Sequence, residues 1–157
     1  MKPKTPRRSA RELALQTLYA WQLAGGEADA LLVQARETQD YERADSALLE
    51  TLVCGVISRA AELQALIAPC LDRSFASLSP VERAVLYIGA FELSAEAATP
   101  VKVVINEAVE IGKSYGGTDG YKFVNGVLER LAAVLRPAEL ARARRRLASA
   151  TCPPNSS

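Results

Sequence analysis

The residue types best suited to chemistry lie together around one glycine-rich segment, Gly116-Gly117. They combine ammonium groups, polar side chains and aromatic rings: Lys113, Ser114, Tyr115, Gly116, Asp119, Lys122, Phe123 and Asn125. Aromatic faces stack on unpaired bases, while lysine, serine and asparagine donate hydrogen bonds to phosphates and base edges. The set favours binding of single-stranded RNA, although Phe123 and Tyr115, each taken alone, also fit core positions.

A second set of candidate contacts is the arginine-rich start of the chain, which contains Arg7, Arg8 and Arg11. Guanidinium groups bind phosphates, stack on bases and keep their charge at any relevant pH. Residues 1–11 carry a net charge of +5 and residues 136–147 carry +4, so a chain of net charge +1 leaves −8 for the remainder. Basic ends on an acidic body suggest one surface for an anionic polymer and another for a different partner. A solubilising tail is the alternative interpretation of the N-terminal arginines, and a solvated helix face is favoured for the C-terminal ones.

Composition argues against catalysis and against metal binding. The chain has no histidine, and its three cysteines form no CxxC pair, so a triad or a zinc site is not expected. Glu107 and Glu110 lack the histidines that di-iron helical bundles require. No apolar run reaches the roughly 18–20 residues of a membrane span, and no apolar block follows the basic N-terminus as in a signal peptide. We therefore predict a cytoplasmic protein without cofactor, metal or catalytic residues.

Helical periodicity predicts the elements that position these side chains. Apolar residues recur at i, i+3, i+4 and i+7 along residues 101–115 and again along residues 120–135. Further helices are predicted at 10–24, 29–38, 46–71, 80–95 and 138–147. Capping boxes mark the starts at Ser9 and Ser79, and a kink is expected near Pro69. The predicted fold is all-α, a single bundle of about seven helices in residues 1–147, with residues 1–8 a flexible basic arm and residues 148–157 a disordered tail.

Three stretches in this order resemble the NusB family of bacterial transcription antitermination factors: RRSARELALQTLYAWQL, SPVERAVLYIGAFEL and VKVVINEAVEIGKSYG…DGYKFVNGVLERL. The resemblance implies an all-helical fold of two packed sub-bundles and no enzymatic activity. It also implies binding of the boxA element of ribosomal RNA leader transcripts together with NusE, a ribosomal protein that also serves in transcription. The heterodimer would then join the elongating RNA polymerase with NusA and NusG and suppress premature termination.

Carried over by position, the resemblance assigns RNA contacts to Arg7, Arg8 and Arg11 and to the eight residues around Gly116-Gly117. It places Glu82 and Glu107 near NusE and RNA, and the arginines are expected to lie close to the glycine-rich segment. Tyr87 stands where relatives often have arginine, so one basic contact is expected to be missing, and Cys70 stands where some have an aromatic residue. Two alternatives remain: a module of a ribosomal RNA cytosine methyltransferase, although no Rossmann-type region follows, and a protein-interaction adaptor that does not bind RNA.

Overall fold

The computed structural model describes residues 4–115 and 120–151, with side chains as far as residue 149. Every regular element in those two segments is a helix, which confirms the all-α prediction. Eight are α-helices: α1 (Pro6–Ala24), α2 (Ala28–Arg36), α3 (Ser46–Ser58), α4 (Ala60–Ile67), α5 (Pro80–Ala95), α6 (Val101–Tyr115), α7 (Gly120–Leu135) and α8 (Pro137–Thr151). Short 3₁₀ helices at Gln39–Arg43, Ala68–Cys70 and Phe75–Ser77 lie in the connections.

Helix α5 is the centre of the bundle, because α1, α3, α4, α6 and α7 all pack against it. Its N-terminus forms the predicted capping box: Ser79 Oγ accepts from the Glu82 main-chain N–H, and Glu82 Oε1 accepts from that of Ser79. Every residue from Ala84 to Leu93 is buried. At Gly89 a Cβ atom would lie 2.8 Å from the methyl groups of Leu128, so the missing side chain lets α5 and α7 approach closely.

Helix α1 begins four residues before the predicted start at Ala10. Thr5 is its N-cap, with Oγ1 accepting from the Arg8 main-chain N–H at 3.1 Å, and Pro6 occupies the first turn. The predicted flexible arm of residues 1–8 is therefore corrected, since residues 6–8 are helical. Helix α1 packs against α3 on one side and α5 on the other, joining a first group (α1–α3) to a second (α5–α7).

The predicted long helix over residues 46–71 is two helices instead of one helix kinked at Pro69. Helix α3 ends at Ser58, Arg59 has non-helical backbone angles, and α4 continues to Ile67. Pro69 lies in the 3₁₀ turn that follows. Of the helices in the described segments, none is both long and apolar enough to cross a membrane alone; α3 and the stretch Ala60–Cys70 meet that criterion only as a pair bent by 80°.

Arg136 connects three helix ends at the far side of α5. Its guanidinium donates to the main-chain oxygens of Glu92, Leu93 and Glu96 at the end of α5, and to that of Thr99 before α6, at 2.6–2.8 Å. Helix α8 starts directly after it and runs to Thr151, beyond the predicted end at Leu147. Residues 148–151 of the predicted disordered tail are therefore helical, and residues 152–157 lie outside the described segments.

Candidate nucleic-acid interface

Helices α1 and α6 run side by side in the same direction. Arg8 Nε and Nη2 donate to the two carboxylate oxygens of Glu107 at 2.9 and 3.1 Å. Eight residues further along both helices, Gln16 Nε2 donates to Tyr115 Oη at 3.0 Å. At 1.5 Å of rise per residue, these two contacts are about 12 Å apart. The arginine-rich start and the end of α6 therefore form one continuous surface, which we call the α1–α6 face (Lys4, Arg7, Arg8, Gln16, Glu107, Tyr115).

The basic groups on the α1–α6 face are paired with carboxylates. Lys4 Nζ lies 2.7 Å from Glu12 Oε2, Arg7 Nη1 lies 3.8 Å from Asp45 Oδ2, and Arg8 is held by Glu107. The hydrogen bond to Glu107 raises the pKa of Arg8, and the one to Glu12 raises the pKa of Lys4. The pairs of Arg7 and Arg8 are exposed or partly exposed, each contributing about 0–1 kcal/mol, so these cations remain available to a phosphate.

Arg11 does not belong to this surface, and its expected RNA contact is corrected. Its side chain is only 2% exposed, and its guanidinium donates three hydrogen bonds to the carboxylate of Glu92 on α5, at 2.8–3.2 Å. Glu92 is equally buried, at 1% exposure. The two charges pair with each other inside the bundle, so Arg11 is a structural residue that joins α1 to α5.

The two sides of the glycine-rich segment meet at Tyr121. Lys113 Nζ lies 5.1 Å and Lys122 Nζ 5.9 Å from the centroid of its ring, so two ammonium groups face one aromatic side chain. Lys113 also lies 3.4 Å from Glu110, and Ser114 Oγ donates to the main-chain oxygen of Glu110. Lys113, Ser114 and Lys122 are exposed. The predicted contacts Gly116 and Asp119 lie outside the described residues.

Phe123 lies on a different flank of α7 from Tyr121. Residues two positions apart on an α-helix are separated by about 200° around its axis, so the side chains at 121 and 123 point to opposite sides of α7. Phe123 is half-buried against the core, and the Arg73 guanidinium stacks 4.4 Å from its ring centroid. Arg73 in turn donates to Glu82 Oε2 at 3.3 Å. Asn125 is also half-buried. The predicted single surface is thus divided into the α1–α6 face, the group of Tyr121, Lys113 and Lys122 where α6 meets α7, and a cluster of Arg73, Phe123 and Glu82.

Four polar or aromatic residues of these surfaces were absent from the predicted contacts: Lys4, Gln16, Arg73 and Tyr121. Gln16 and Arg73 gave no signal, because their aromatic partners, Tyr115 and Phe123, are distant in sequence. Tyr121 had one, since it directly precedes Lys122-Phe123 and its aromatic ring is only partly buried. Within the described segments, no three residues among Cys, Asp and Glu are grouped closely enough to hold a metal ion.

The sequence profile of the NusB family matches residues 8–133 of this chain. The chain belongs to the NusB family. The transcription antitermination protein NusB of Burkholderia cenocepacia (strain HI2424) is 53% identical over 136 residues, covering 87% of this chain and 94% of the relative. That of Paraburkholderia phytofirmans (strain PsJN) is 51% identical over 143 residues, covering 91% and 99%.

Solved structures of NusB share the fold. Thermotoga maritima NusB, at 30% identity, superimposes with a TM-score of 0.78 and covers 89% of this chain and 99% of its own. A second is a crystal structure of the antitermination factors NusB and NusE in complex with double-stranded RNA; the matched chain is 27% identical, with a TM-score of 0.71 and coverage of 81% and 96%. Helix α8 lies beyond the segment that the family profile matches.

The two positions expected to depart from other NusB sequences, Tyr87 and Cys70, both fall in the interior. Tyr87 is 5% exposed, with its ring between the edges of Trp21 and Phe75 at centroid distances of 6.1 and 5.4 Å. Burial raises its pKa. Cys70 is buried, and its main-chain oxygen accepts from Arg130 Nε at 2.9 Å. The absence of a basic contact at this position stays a prediction; Tyr87 itself packs against other aromatic rings.

Proposed function

We propose that this chain is a non-enzymatic transcription antitermination factor that binds RNA together with NusE. The observation that supports this most directly is the α1–α6 face, which brings arginines, an amide and an exposed tyrosine side by side in a chain of the NusB family. In finer terms, we propose that the RNA is the boxA element of ribosomal RNA leader transcripts. We further propose that the complex acts in the cytoplasm, on RNA polymerase with NusA and NusG.

Arg8 has the free donors that such a contact needs. A guanidinium group carries five N–H donors, and Glu107 occupies two of them, which leaves three for a phosphate. The side chain is 35% exposed, so RNA can reach it. Glu107 holds the guanidinium in place on the surface. We propose that Arg8 binds phosphate in this orientation, with Arg7 contributing a second, more loosely held charge.

Tyr115 offers the flat face on this surface. Its side chain is 37% exposed, and Gln16 fixes the position of its hydroxyl oxygen. Restricting the ring before RNA arrives lowers the entropy cost of stacking a base on it. Lys113, Ser114, Lys122 and Tyr121 continue the donors and aromatic faces across to α7. We propose that single-stranded nucleotides follow this line, that Gly116, Asp119 and Asn125 add contacts to it, and that Phe123 contacts RNA separately, from the other flank of α7.

The two carboxylates expected near NusE have local partners. Glu82 accepts from the Ser79 main-chain N–H and from Arg73, and Glu107 accepts from Arg8. We propose that they affect partner binding indirectly, by fixing the positions of Arg73 and Arg8.

Titration of a boxA RNA by fluorescence anisotropy, with and without NusE, tests the proposal. Arg8→Gln should weaken RNA binding by roughly five- to tenfold, as expected for one charge-assisted hydrogen-bonded contact. Arg36→Gln is the matched control, because Arg36 is an exposed cation on α2 at the end of a helix. Melting curves should show both variants folded like the parent.

The outcomes separate the competing functions. Failure of the parent chain to bind RNA in the presence of NusE would disprove the proposal. NusE binding with no contribution to RNA affinity would instead favour the protein-interaction adaptor. Transfer of a methyl group to RNA cytosine would favour the methyltransferase module.

A further inference from the structure

Among the described side chains, those of α8 that pack against the bundle lie in its first turns. Leu140 is buried, and Glu139 Oε2 accepts from the main-chain N–H of Val101, the first residue of α6. Glu139 also lies 3.3 Å from Arg136. From Arg144 to Ser149, by contrast, every side chain is exposed. Residues 144–149 therefore present the whole circumference of the helix to solvent instead of packing one face on the core.

This exposed part of α8 is strongly basic. Four arginines follow Glu139 within the helix: Arg142, Arg144, Arg145 and Arg146. Arg142, Arg145, Arg146 and Ser149 line a single surface hollow. Their spacing of i, i+3, i+4 and i+7 places them on one face, about 10 Å long. Within the part of the chain that the structure describes, none of the four arginines has a carboxylate partner, unlike those of the α1–α6 face.

The chemistry of the hollow suits phosphate groups. Guanidinium groups bind phosphate oxygens bidentately, and a serine hydroxyl adds a further donor. The basic groups are arginines without a lysine, which favours RNA, because arginine also stacks on unpaired bases. An acidic protein surface could neutralise the charge of these arginines, but it would use neither their capacity to stack on bases nor their regular spacing along the hollow.

We propose that the arginine face of α8 (Arg142, Arg145, Arg146 and Ser149) is a second RNA contact, which binds the backbone of nucleotides flanking the element held on the α1–α6 face. The proposal rests on the proposed function, since it assigns a longer footprint on the same RNA. Helix α8 lies outside residues 8–133, the segment that the family profile matches, so the proposed contact is additional to any made by that segment.

Two RNAs distinguish the second contact from the first. One is boxA alone, and the other is boxA extended by about ten unpaired nucleotides on each side, a length within the range of single-strand binding sites. The double variant Arg145→Gln/Arg146→Gln should bind the short RNA like the parent and the extended RNA several-fold more weakly. The slope of log K against log salt on the extended RNA should become shallower by about 1.4, or 0.7 for each lost phosphate contact on a single strand.

Two control variants isolate the position and the charge. Arg36→Gln/Arg43→Gln removes the same charge from exposed positions on another part of the chain and should leave both RNAs unaffected. Arg145→Lys/Arg146→Lys keeps the charge and should retain most of the slope. Glutamine has nearly the helix propensity of arginine, so circular dichroism should show unchanged helicity in every variant.

Equal affinity and equal slope for parent and α8 variant on the extended RNA would overturn the second contact while leaving the proposed function intact. Weaker NusE binding with unchanged RNA binding would also overturn it and identify α8 as a protein-docking helix. If the parent bound neither RNA, both proposals would fail together.

Discussion

Replacing Arg11 by methionine tests whether this arginine maintains the fold or contacts RNA. Its guanidinium and the Glu92 carboxylate face each other at 2.8–3.2 Å, with side-chain exposures of 2% and 1%. Methionine has a similar length and an apolar surface, so the change removes the charge without leaving a large cavity. The Glu92 carboxylate then stays buried among apolar groups without its partner.

The expected cost follows from that unpaired carboxylate. Removing one member of a buried ion pair destabilises a protein by about 3–5 kcal/mol. In a chain of this length, 1 kcal/mol shifts the melting temperature by about 2–4 °C, so the variant should melt roughly 6–20 °C lower. Replacing both residues together, Arg11→Met with Glu92→Leu, removes both charges and should cost much less than the sum of the two single changes.

Denaturant unfolding of the two single variants and the double variant measures the coupling. RNA affinity is then measured well below the melting temperature, where Arg11→Met should stay within about twofold of the parent because the residue lies inside the bundle. Arg8→Gln should show the opposite pattern, with stability within about 1 kcal/mol and weaker RNA binding. An Arg11→Met protein with an unchanged melting point and lower RNA affinity would refute the structural role.

Two further predictions concern the interior. Arg136→Met should destabilise the chain by about 2–4 kcal/mol in denaturant unfolding, because the main-chain oxygens of Glu92, Leu93, Glu96 and Thr99 lose a charged donor; a loss below about 1 kcal/mol would contradict this. Burial raises the pKa of the Cys54 and Cys70 thiols above the ordinary 9.0, so in a Cys152→Ser background both should alkylate more slowly at neutral pH than in denaturant. A raised thiol pKa means that the folded chain holds its proton longer, so this contribution to stability is present at neutral pH and is lost as pH rises through the folded value; rapid labelling of the folded chain would contradict the burial.

The start of a helix was predicted correctly where the sequence contained one capping signal, and incorrectly where it contained two. The α5 capping box had no rival, and the structure confirms it. At the start of α1, the prediction relied on Ser9-x-x-Glu12 as the cap, although Thr5-Pro6 lies four residues upstream. Thr5 caps the helix, while Ser9 is buried and Glu12 binds Lys4. The threonine–proline pair was the informative signal, since it repeats the Ser79-Pro80 pattern of α5.

The break between α3 and α4 had no local signal, because neither glycine nor proline stands at Arg59. The break allows both helices to pack against α5. The apolar pattern within one helix does not indicate the direction of the helix that follows. The buried Arg11 was different. Arg11, Ala14, Leu15 and Leu18 share i, i+3, i+4 and i+7 spacing, so the arginine stood on the apolar face of α1. What the sequence could not supply was its partner, 81 residues away on α5.

The arginines of α1 and those of α8 should contribute differently to the salt dependence of RNA binding. Arg7 and Arg8 already face Asp45 and Glu107, which neutralise part of their charge, so a phosphate that binds there should release fewer counterions from the RNA than one that binds an unpaired arginine. Arg145 and Arg146 have no such partner among the described residues, and each phosphate they bind should change the slope of log K against log salt by the full 0.7 or so. Removing the α8 pair should therefore flatten the salt dependence more than removing Arg7 and Arg8, even if the α1 pair contributes more affinity. Equal changes in slope would show that Asp45 and Glu107 do not reduce the charge that Arg7 and Arg8 present to RNA, and that Glu107 serves only to position Arg8.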